Sequence, residues 1–158
     1  MNDQLEICGR LLIAQGLTLA FAESATAGRI ASDFSLLNDA GKFLKGGIIC
    51  YDAMLKETLL NVPEEMIKTF TPESMEVTQA IAKGLFELIP ADIHIGVTGL
   101  TCPGGSESPE KPVGTIFIDC QLHSKPLFSD RKVFEGCPEE IVDQAVQRTA
   151  ELLITYLS

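Results

Sequence analysis

The chain has 158 residues, of which 46% are hydrophobic, and it carries a formal net charge of −10. This size and composition predict one folded domain and exclude a disordered chain. The acidic excess and the 12 scattered lysines and arginines argue against nucleic-acid binding, which depends on neutralising phosphates. No apolar run approaches the ~20 residues of a membrane span, and the N-terminus lacks a signal-peptide pattern, so we expect a cytoplasmic protein without a membrane partner.

The cysteines and histidines predict neither disulfides nor a metal site. There are 5 cysteines, none in a CxxC pair, and in a chain without a secretion signal this indicates free thiols. His94 and His123 lie in strand-like segments without the spacing of metal ligands. We therefore expect no metal and no cofactor.

The first half of the chain alternates between helical and extended patterns. Helical spacing of apolar residues, a continuous apolar run and capping residues mark the successive elements. The predicted order is a helix over 4–15 ended by Gly16, a strand over 17–22, a polar turn over 22–28, a helix from Arg29 to Leu37, a strand over 44–51 and a helix capped by Asp52.

The second half contains two more helices and strands that lie next to one another in the sequence. The predicted order is a helix start at Pro63, a helix from a Thr71 cap and Pro72 to about Leu88, a strand over 92–98, a glycine-rich loop from Gly99, strands over 113–122 and 130–134, and a helix from Pro138. The late pair of strands indicates a hairpin.

This order of elements predicts a three-layer α/β/α sandwich with a mixed, mostly parallel sheet. In such sheets, sites form beyond the carboxyl ends of the strands. The turn at 23–28, the segment 51–56 and the loop 98–105 each follow a predicted strand. We expect these three segments to converge on one crevice.

The turn at 22–28 is the stretch of most chemical interest. A helix N-terminus holds anions, and Ser24 and Thr26 supply its two hydroxyls, each of them a nucleophile or only a helix cap. With no histidine placed for a triad, the base of a serine hydrolase would be a desolvated lysine, for which Lys56 is the best candidate; otherwise it is an ordinary solvated lysine. Backbone N–H groups near 24–28 or 98–99 are candidates for an oxyanion hole. Glu23 is either exposed or paired.

Four motifs in order resemble the CinA C-terminal domain family of nicotinamide mononucleotide amidohydrolases. The turn resembles A-E-S-C-T-G-G, and Gly46-Gly47 through Tyr51 and Lys56 resembles G-G-x-x-x-Y-S-N-E-A-K. The segment Val97 to Gly105 resembles I-T-G-I-A-G-P-G-G, and Glu110 to Thr115 matches E-K-P-V-G-T. The likeness extends from about Leu5 to the last helix.

The resemblance implies deamidation of nicotinamide mononucleotide to nicotinic acid mononucleotide and ammonia, by a serine nucleophile and a lysine base without metal. It implies a small-molecule nucleotide as the substrate and a homo-oligomer, at least a dimer. Ser24 is then the nucleophile, Lys56 the base, and Tyr51 an assisting catalytic residue. The implied substrate-binding residues, of which the first two also shape the turn, are Thr26, Gly28, Thr98, Gly99 and Gly104.

The sequence departs from the family motifs at several places. Ala25 and Ala27 replace a cysteine and a glycine, 52–55 differs, and Pro138 stands where the family has arginine. An arginine is the usual bidentate partner of a phosphate or carboxylate. These departures support an alternative, a catalytically degenerate nucleotide-binding or regulatory module of the same fold. A variant of the first hypothesis keeps the serine and lysine but takes an amide without phosphate.

Overall fold

A computed structural model describes residues 3–158, which form one five-stranded sheet with helices on both faces. The helices are α1 (Asp3–Gln15), α2 (Arg29–Ser35), α3 (Ala53–Leu60), α4 (Glu64–Phe70), α5 (Met75–Leu88) and α6 (Pro138–Leu157). The strands are β1 (Leu19–Glu23), β2 (Leu44–Ile49), β3 (Ile93–Gly99), β4 (Thr115–Leu122) and β5 (Lys125–Val133), and a short 3-10 turn covers Ala40–Lys42.

The strand order β2-β1-β3-β4-β5 confirms the predicted mixed sheet. Strand β1 pairs in parallel with β2 and with β3, whereas β4 pairs antiparallel with β3 and with β5. The antiparallel part is thus as extensive in strand pairs as the parallel part. The carboxyl ends of β1, β2 and β3 lie at the same edge of the sheet, and the polar turn and the glycine-rich loop begin there.

Two apolar layers confirm the sandwich. Leu19 and Phe21 of β1 pack with α1, α2 and α6 on one face, and Ala20 and Ala22 pack with α3, α4 and α5 on the other. Every residue of β1 is buried, which the apolar run predicts for residues 19–22 of a central strand but not for Glu23. Among residues 3–158, no helix is long and apolar enough to cross a bilayer.

Two predicted boundaries were wrong. Ser74, not Thr71, caps α5, because Ser74 is extended and its hydroxyl accepts from Val77 N–H, whereas Thr71 has φ of 73° and ends α4. Strand β5 begins at Lys125 rather than 130, directly after a two-residue turn with positive φ at His123 and Ser124. Its largely exposed side chains gave no hydrophobic alternation to mark the start.

Candidate active site

Ser24 and Lys56 lie in direct contact at the carboxyl edge of the sheet. The distance from Lys56 Nζ to Ser24 Oγ is 2.9 Å, although the two residues are 32 positions apart in the sequence. Lys56 is only 1% exposed, and Ser24 is also buried. A lysine held against a serine hydroxyl away from water is the geometry that a Ser–Lys hydrolase requires.

Strand pairing brings the two residues together. Ser24 follows β1 immediately, and its N–H donates to the carbonyl of Val97 on β3 at 2.9 Å. On the other side, Cys50 N–H donates to Glu23 O at 2.8 Å, so the chain after β2 runs beside the turn. Asp52 then caps α3 as predicted, its carboxylate accepting from Met54 N–H at 2.8 Å. Helix α3 therefore starts at the sheet edge and carries Lys56 back toward Ser24.

The surroundings of Lys56 favour a neutral amine. Its Nζ lies 2.8 Å from Cys50 O and 3.5 Å from Tyr51 O. Burial lowers the pKa of Lys56 from its ordinary value, against smaller opposing effects of Cys50, Glu73 and Asp52. A neutral amine has two N–H donors and one lone pair, which match two carbonyl oxygens and one serine O–H. In that state Ser24 donates its proton to Lys56.

Glu23 takes the helix N-terminus that the sequence assigned to the hydroxyls. Its carboxylate is 1% exposed and accepts from the N–H groups of Gly28, Ile30 and Ala31 and from Thr26 Oγ1. The open question about Glu23 is thus resolved as a buried, fully paired side chain. Neither Ser24 nor Thr26 caps α2, whose N-cap position is Gly28 with φ of 92°. Because one carboxylate satisfies these N–H groups, none of the three is free to hold an external anion.

Two backbone N–H groups of the turn, those of Ala25 and Thr26, find no acceptor in the described part of the chain. Within residues 3–158, the N–H of Ala25 has no hydrogen-bond partner, and Ala25 lines a cleft that Ser24 also lines. The residue after a nucleophilic serine is a common donor to the oxyanion. Of the two groups, Ala25 N–H is the candidate oxyanion donor, because Ala25 lines the cleft and Thr26 does not.

The cleft has a volume of about 190 Å³. It lies between the turn after β1 and the glycine-rich loop after β3, which confirms that these segments converge. The residues that line it are Ser24, Ala25, Tyr51, Glu73, Gly99, Leu100, Thr101, Cys102, Pro103, Gly104 and Gly105. The structure thus brings Tyr51, which is 60% exposed, to the cleft together with Gly99 and Gly104.

Thr26, Gly28 and Thr98, which the sequence placed in substrate binding, do not line the cleft. The Thr26 hydroxyl donates to Glu23 Oε2 at 2.6 Å, and Gly28 provides a left-handed backbone conformation next to Ile49. Both residues thus shape the turn, as predicted. Their role in substrate binding stays a prediction that these contacts do not support.

Thr98 is fully buried on the sheet face that α5 covers. Its hydroxyl lies 2.8 Å from Thr78 Oγ1, and Thr78 Oγ1 itself donates to Ser74 O. Because Thr78 has only one hydroxyl proton, Thr98 is the donor of the pair. The proton of Thr98 is therefore committed to Thr78, and the role of Thr98 in substrate binding stays a prediction that these contacts do not support.

The loop after β3 is held by side chains that the motifs did not single out. Lys111 Nζ donates to Thr71 Oγ1, Glu73 O and Ser106 Oγ, and Ser106 Oγ donates to Glu73 Oε2. Glu107 accepts from the N–H groups of Gly104 and Gly105. The E-K-P motif contained Lys111 without indicating its partners, and Glu73 had no sequence signal beyond its place next to a helix start.

The arginines do not replace the one that the motif comparison found missing. Pro138 is the first residue of α6, as predicted. Arg148 makes two hydrogen bonds with Asp130 and one with Glu151, and Arg131 lies over the ring of Phe117. No arginine or lysine in the described part of the chain lines the cleft.

Comparisons with known proteins match one family over nearly the whole chain. The family model described as the CinA C-terminal domain matches residues 2–157. The chain is 35% identical over 152 residues to a CinA-like protein of Desulfotalea psychrophila, which covers 96% of this chain and 36% of that protein. It is 36% identical over 159 residues to a CinA-like protein of Thermotoga maritima, covering 99% of this chain and 38% of that one. The chain thus spans little more than a third of the length of these relatives.

Solved structures show the same fold. A competence-damaged protein (CinA) superfamily protein from Klebsiella pneumoniae superposes with a TM-score of 0.93 at 28% identity, covering 99% of this chain and 98% of that one. The competence/damage inducible protein CihA from Agrobacterium tumefaciens superposes with a TM-score of 0.89 at 26% identity, covering 100% and 98%. Both matches extend over the whole sandwich.

Proposed function

This chain belongs to the CinA C-terminal domain family, and from that premise we propose that it is an amidohydrolase that deamidates a pyridine nucleotide. The reaction is hydrolysis of the carboxamide of nicotinamide mononucleotide to nicotinic acid mononucleotide and ammonia. The observation that carries the proposal is the buried contact of 2.9 Å between Lys56 Nζ and Ser24 Oγ, at the edge of a cleft. Lysine side chains are almost never fully buried unless they are paired, and Lys56 is 1% exposed.

The first half-reaction begins at Ser24. The neutral amine of Lys56 takes the proton of Ser24 Oγ as the oxygen attacks the carboxamide carbon. The carbonyl oxygen becomes an oxyanion, to which the unbonded N–H of Ala25, a residue of the cleft, donates in this proposal. The C–N bond then breaks, Lys56 returns the proton to the leaving nitrogen, and ammonia leaves an ester on Ser24.

The second half-reaction restores the enzyme. Lys56 takes a proton from water, whose oxygen attacks the ester carbon. The Ser24 oxygen leaves and recovers its proton from Lys56, and the acid is released. The carbonyls of Cys50 and Tyr51 keep Nζ aimed at Ser24 in both steps, since each accepts from it. The net reaction is amide plus water giving acid plus ammonia.

The test is ammonia release from nicotinamide, its riboside and its mononucleotide, measured side by side. Ser24→Ala and Lys56→Ala should each lower kcat by at least about 10³-fold, since the two groups act as a unit. Ser32→Ala and Lys83→Ala, at exposed positions of α2 and α5, are matched controls that should leave kcat unchanged. The ranking of the three substrates tells whether the phosphate is recognised.

Two outcomes would contradict the proposal. If Ser24→Ala and Lys56→Ala retain wild-type turnover, the assigned nucleophile and base are wrong. If the wild type binds pyridine nucleotides but releases no ammonia, the alternative of a degenerate nucleotide-binding module is correct. Unfolding curves of each variant show whether a loss of turnover reflects chemistry or misfolding.

A further inference from the structure

Glu73 gives the cleft its charge. Among the described residues that line the cleft, Glu73 is the only Asp, Glu, His, Lys or Arg. It lies between α4 and α5, opposite the turn that carries Ser24, and is half-buried. Its negative charge acts on Lys56 by Coulomb attraction, so it lies within electrostatic range of the dyad.

The contacts of Glu73 leave one carboxylate oxygen facing no donor. Oε2 accepts from Ser106 Oγ, whereas Oε1 has no hydrogen bond and no ion pair within residues 3–158. The nearby ammonium of Lys111 already donates its three N–H groups to Thr71 Oγ1, Glu73 O and Ser106 Oγ. Lys111 thus fixes the backbone and side chain around Glu73 without forming an ion pair with its carboxylate.

We propose that Glu73 is a specificity-determining residue that selects carboxamides attached to a positively charged ring. This inference rests on the proposed function and names the substrate class of the same cleft. In a pyridine nucleoside or nucleotide the ring nitrogen is quaternary and positively charged, whereas the ring of free nicotinamide is neutral at pH 7. A carboxamide held at Ser24 brings that ring into the cleft that Glu73 lines.

The overall charge distribution points the same way. No lysine or arginine lines the described part of the cleft, whereas the carboxylate of Glu73 does. The net charge of −10 adds a favourable field for a cationic ligand. Occupation of the cleft would remove water from Glu73 Oε1, and an unpaired carboxylate oxygen that loses its hydration costs free energy. A positively charged ring offsets this cost, whereas a neutral ring does not.

The test compares two substrates that differ in ring charge, 1-methylnicotinamide, which is a cation, and nicotinamide, which is neutral. Glu73→Gln keeps an oxygen to accept from Ser106 and removes the charge. It should lower the ratio of kcat/KM for the cation over the neutral amide by roughly tenfold relative to wild type. The ratio cancels any common change in folding or in the basicity of Lys56. Comparison with wild type cancels the difference in intrinsic reactivity of the two amides.

Two further variants fix the interpretation. Glu73→Asp keeps the charge but shortens the side chain, and it should retain part of the selectivity. If Glu73 had only a structural role, Glu73→Asp would disturb the loop more than Glu73→Gln does, because only Glu73→Asp changes the side-chain length. Glu76→Gln, at an exposed position in the first turn of α5, should leave the ratio unchanged. An unchanged ratio in Glu73→Gln would overturn the inference even if Ser24-dependent hydrolysis is observed.

Binding separates this inference from the proposed function. Titration of the Ser24→Ala variant with each compound needs no turnover, and adding Glu73→Gln should weaken binding of 1-methylnicotinamide but not of nicotinamide. If the wild type releases no ammonia and this binding difference is present, the hydrolase proposal fails and the role of Glu73 stands. If neither compound binds at millimolar concentration, or both lose affinity equally, the role of Glu73 is wrong.

Discussion

The two sides of the cleft are built in opposite ways. On one side, the turn after β1 is organised by the buried carboxylate of Glu23, which accepts from three backbone N–H groups and one hydroxyl. On the other side, the loop after β3 is organised by Lys111, which donates to three oxygens from partly exposed positions. The turn is thus held by an anion that accepts hydrogen bonds, and the loop by a cation that donates them.

This difference suggests that the buried side carries the chemistry and the exposed side selects the substrate. Ser24 and Lys56 lie on the buried side, where the low dielectric favours a neutral lysine and where strand pairing fixes the positions. Glu73 and the glycine-rich segment lie on the exposed side, to which the proposed function assigns the rest of the substrate. We expect changes on the buried side to affect stability and kcat, and changes on the loop side to affect KM and selectivity.

Glu23→Gln should have the largest effect on stability. The amide keeps one acceptor oxygen but directs N–H donors at the N–H groups of the turn, leaving buried groups unpaired. We expect a loss of about 2–4 kcal/mol in the free energy of unfolding. Urea denaturation measures this loss, and Glu64→Gln on the exposed start of α4 is the matched control. A wild-type unfolding curve for Glu23→Gln would show that the carboxylate does not organise the buried side.

The pH dependence of kcat/KM should report on Lys56. Burial lowers the pKa of Lys56, and only the neutral amine accepts a proton from Ser24. Activity should therefore fall by about tenfold per pH unit below that pKa, with a midpoint under the ordinary lysine value of about 10.4. Because the Glu73 charge raises the pKa of Lys56, Glu73→Gln should move the midpoint to lower pH.

This profile also links the two sides of the cleft. Glu76→Gln should leave the midpoint where it is, since Glu76 is exposed and does not line the cleft. A midpoint that moves upward in Glu73→Gln would contradict the electrostatic link. A kcat/KM that falls as the pH rises toward 10 would contradict a lysine base, because raising the pH can only increase the neutral fraction of Lys56.

Lys111→Met should have the smallest of these effects. The change removes three hydrogen bonds that hold the loop but leaves the dyad untouched. Solvent access lets water replace part of these bonds, so we expect KM to rise by roughly fivefold and kcat to stay within about twofold. Steady-state kinetics checks this, with Lys83→Met as control. A large fall in kcat with unchanged KM would contradict this prediction and would mean that Lys111 acts on the chemical step.

The sequence by itself determined the order of elements and the sandwich. Apolar runs, capping residues and glycines act over a few positions, and these local signals predicted β1, the Asp52 cap and the Pro138 start. The motif resemblance also selected Ser24 and Lys56, since it compares residues position by position.

Only the tertiary structure decided what each polar side chain contacts. Local patterns do not contain the pairing of β1 with β2 and β3, and that pairing sets Ser24 beside Lys56 from 32 positions away. For the same reason, Thr98 could not be assigned to Thr78, nor Glu73 to Ser106, before the packing of α5 and the loop was known. A side chain's partner depends on sheet register and helix packing, which arise from the burial of apolar surface over the whole chain.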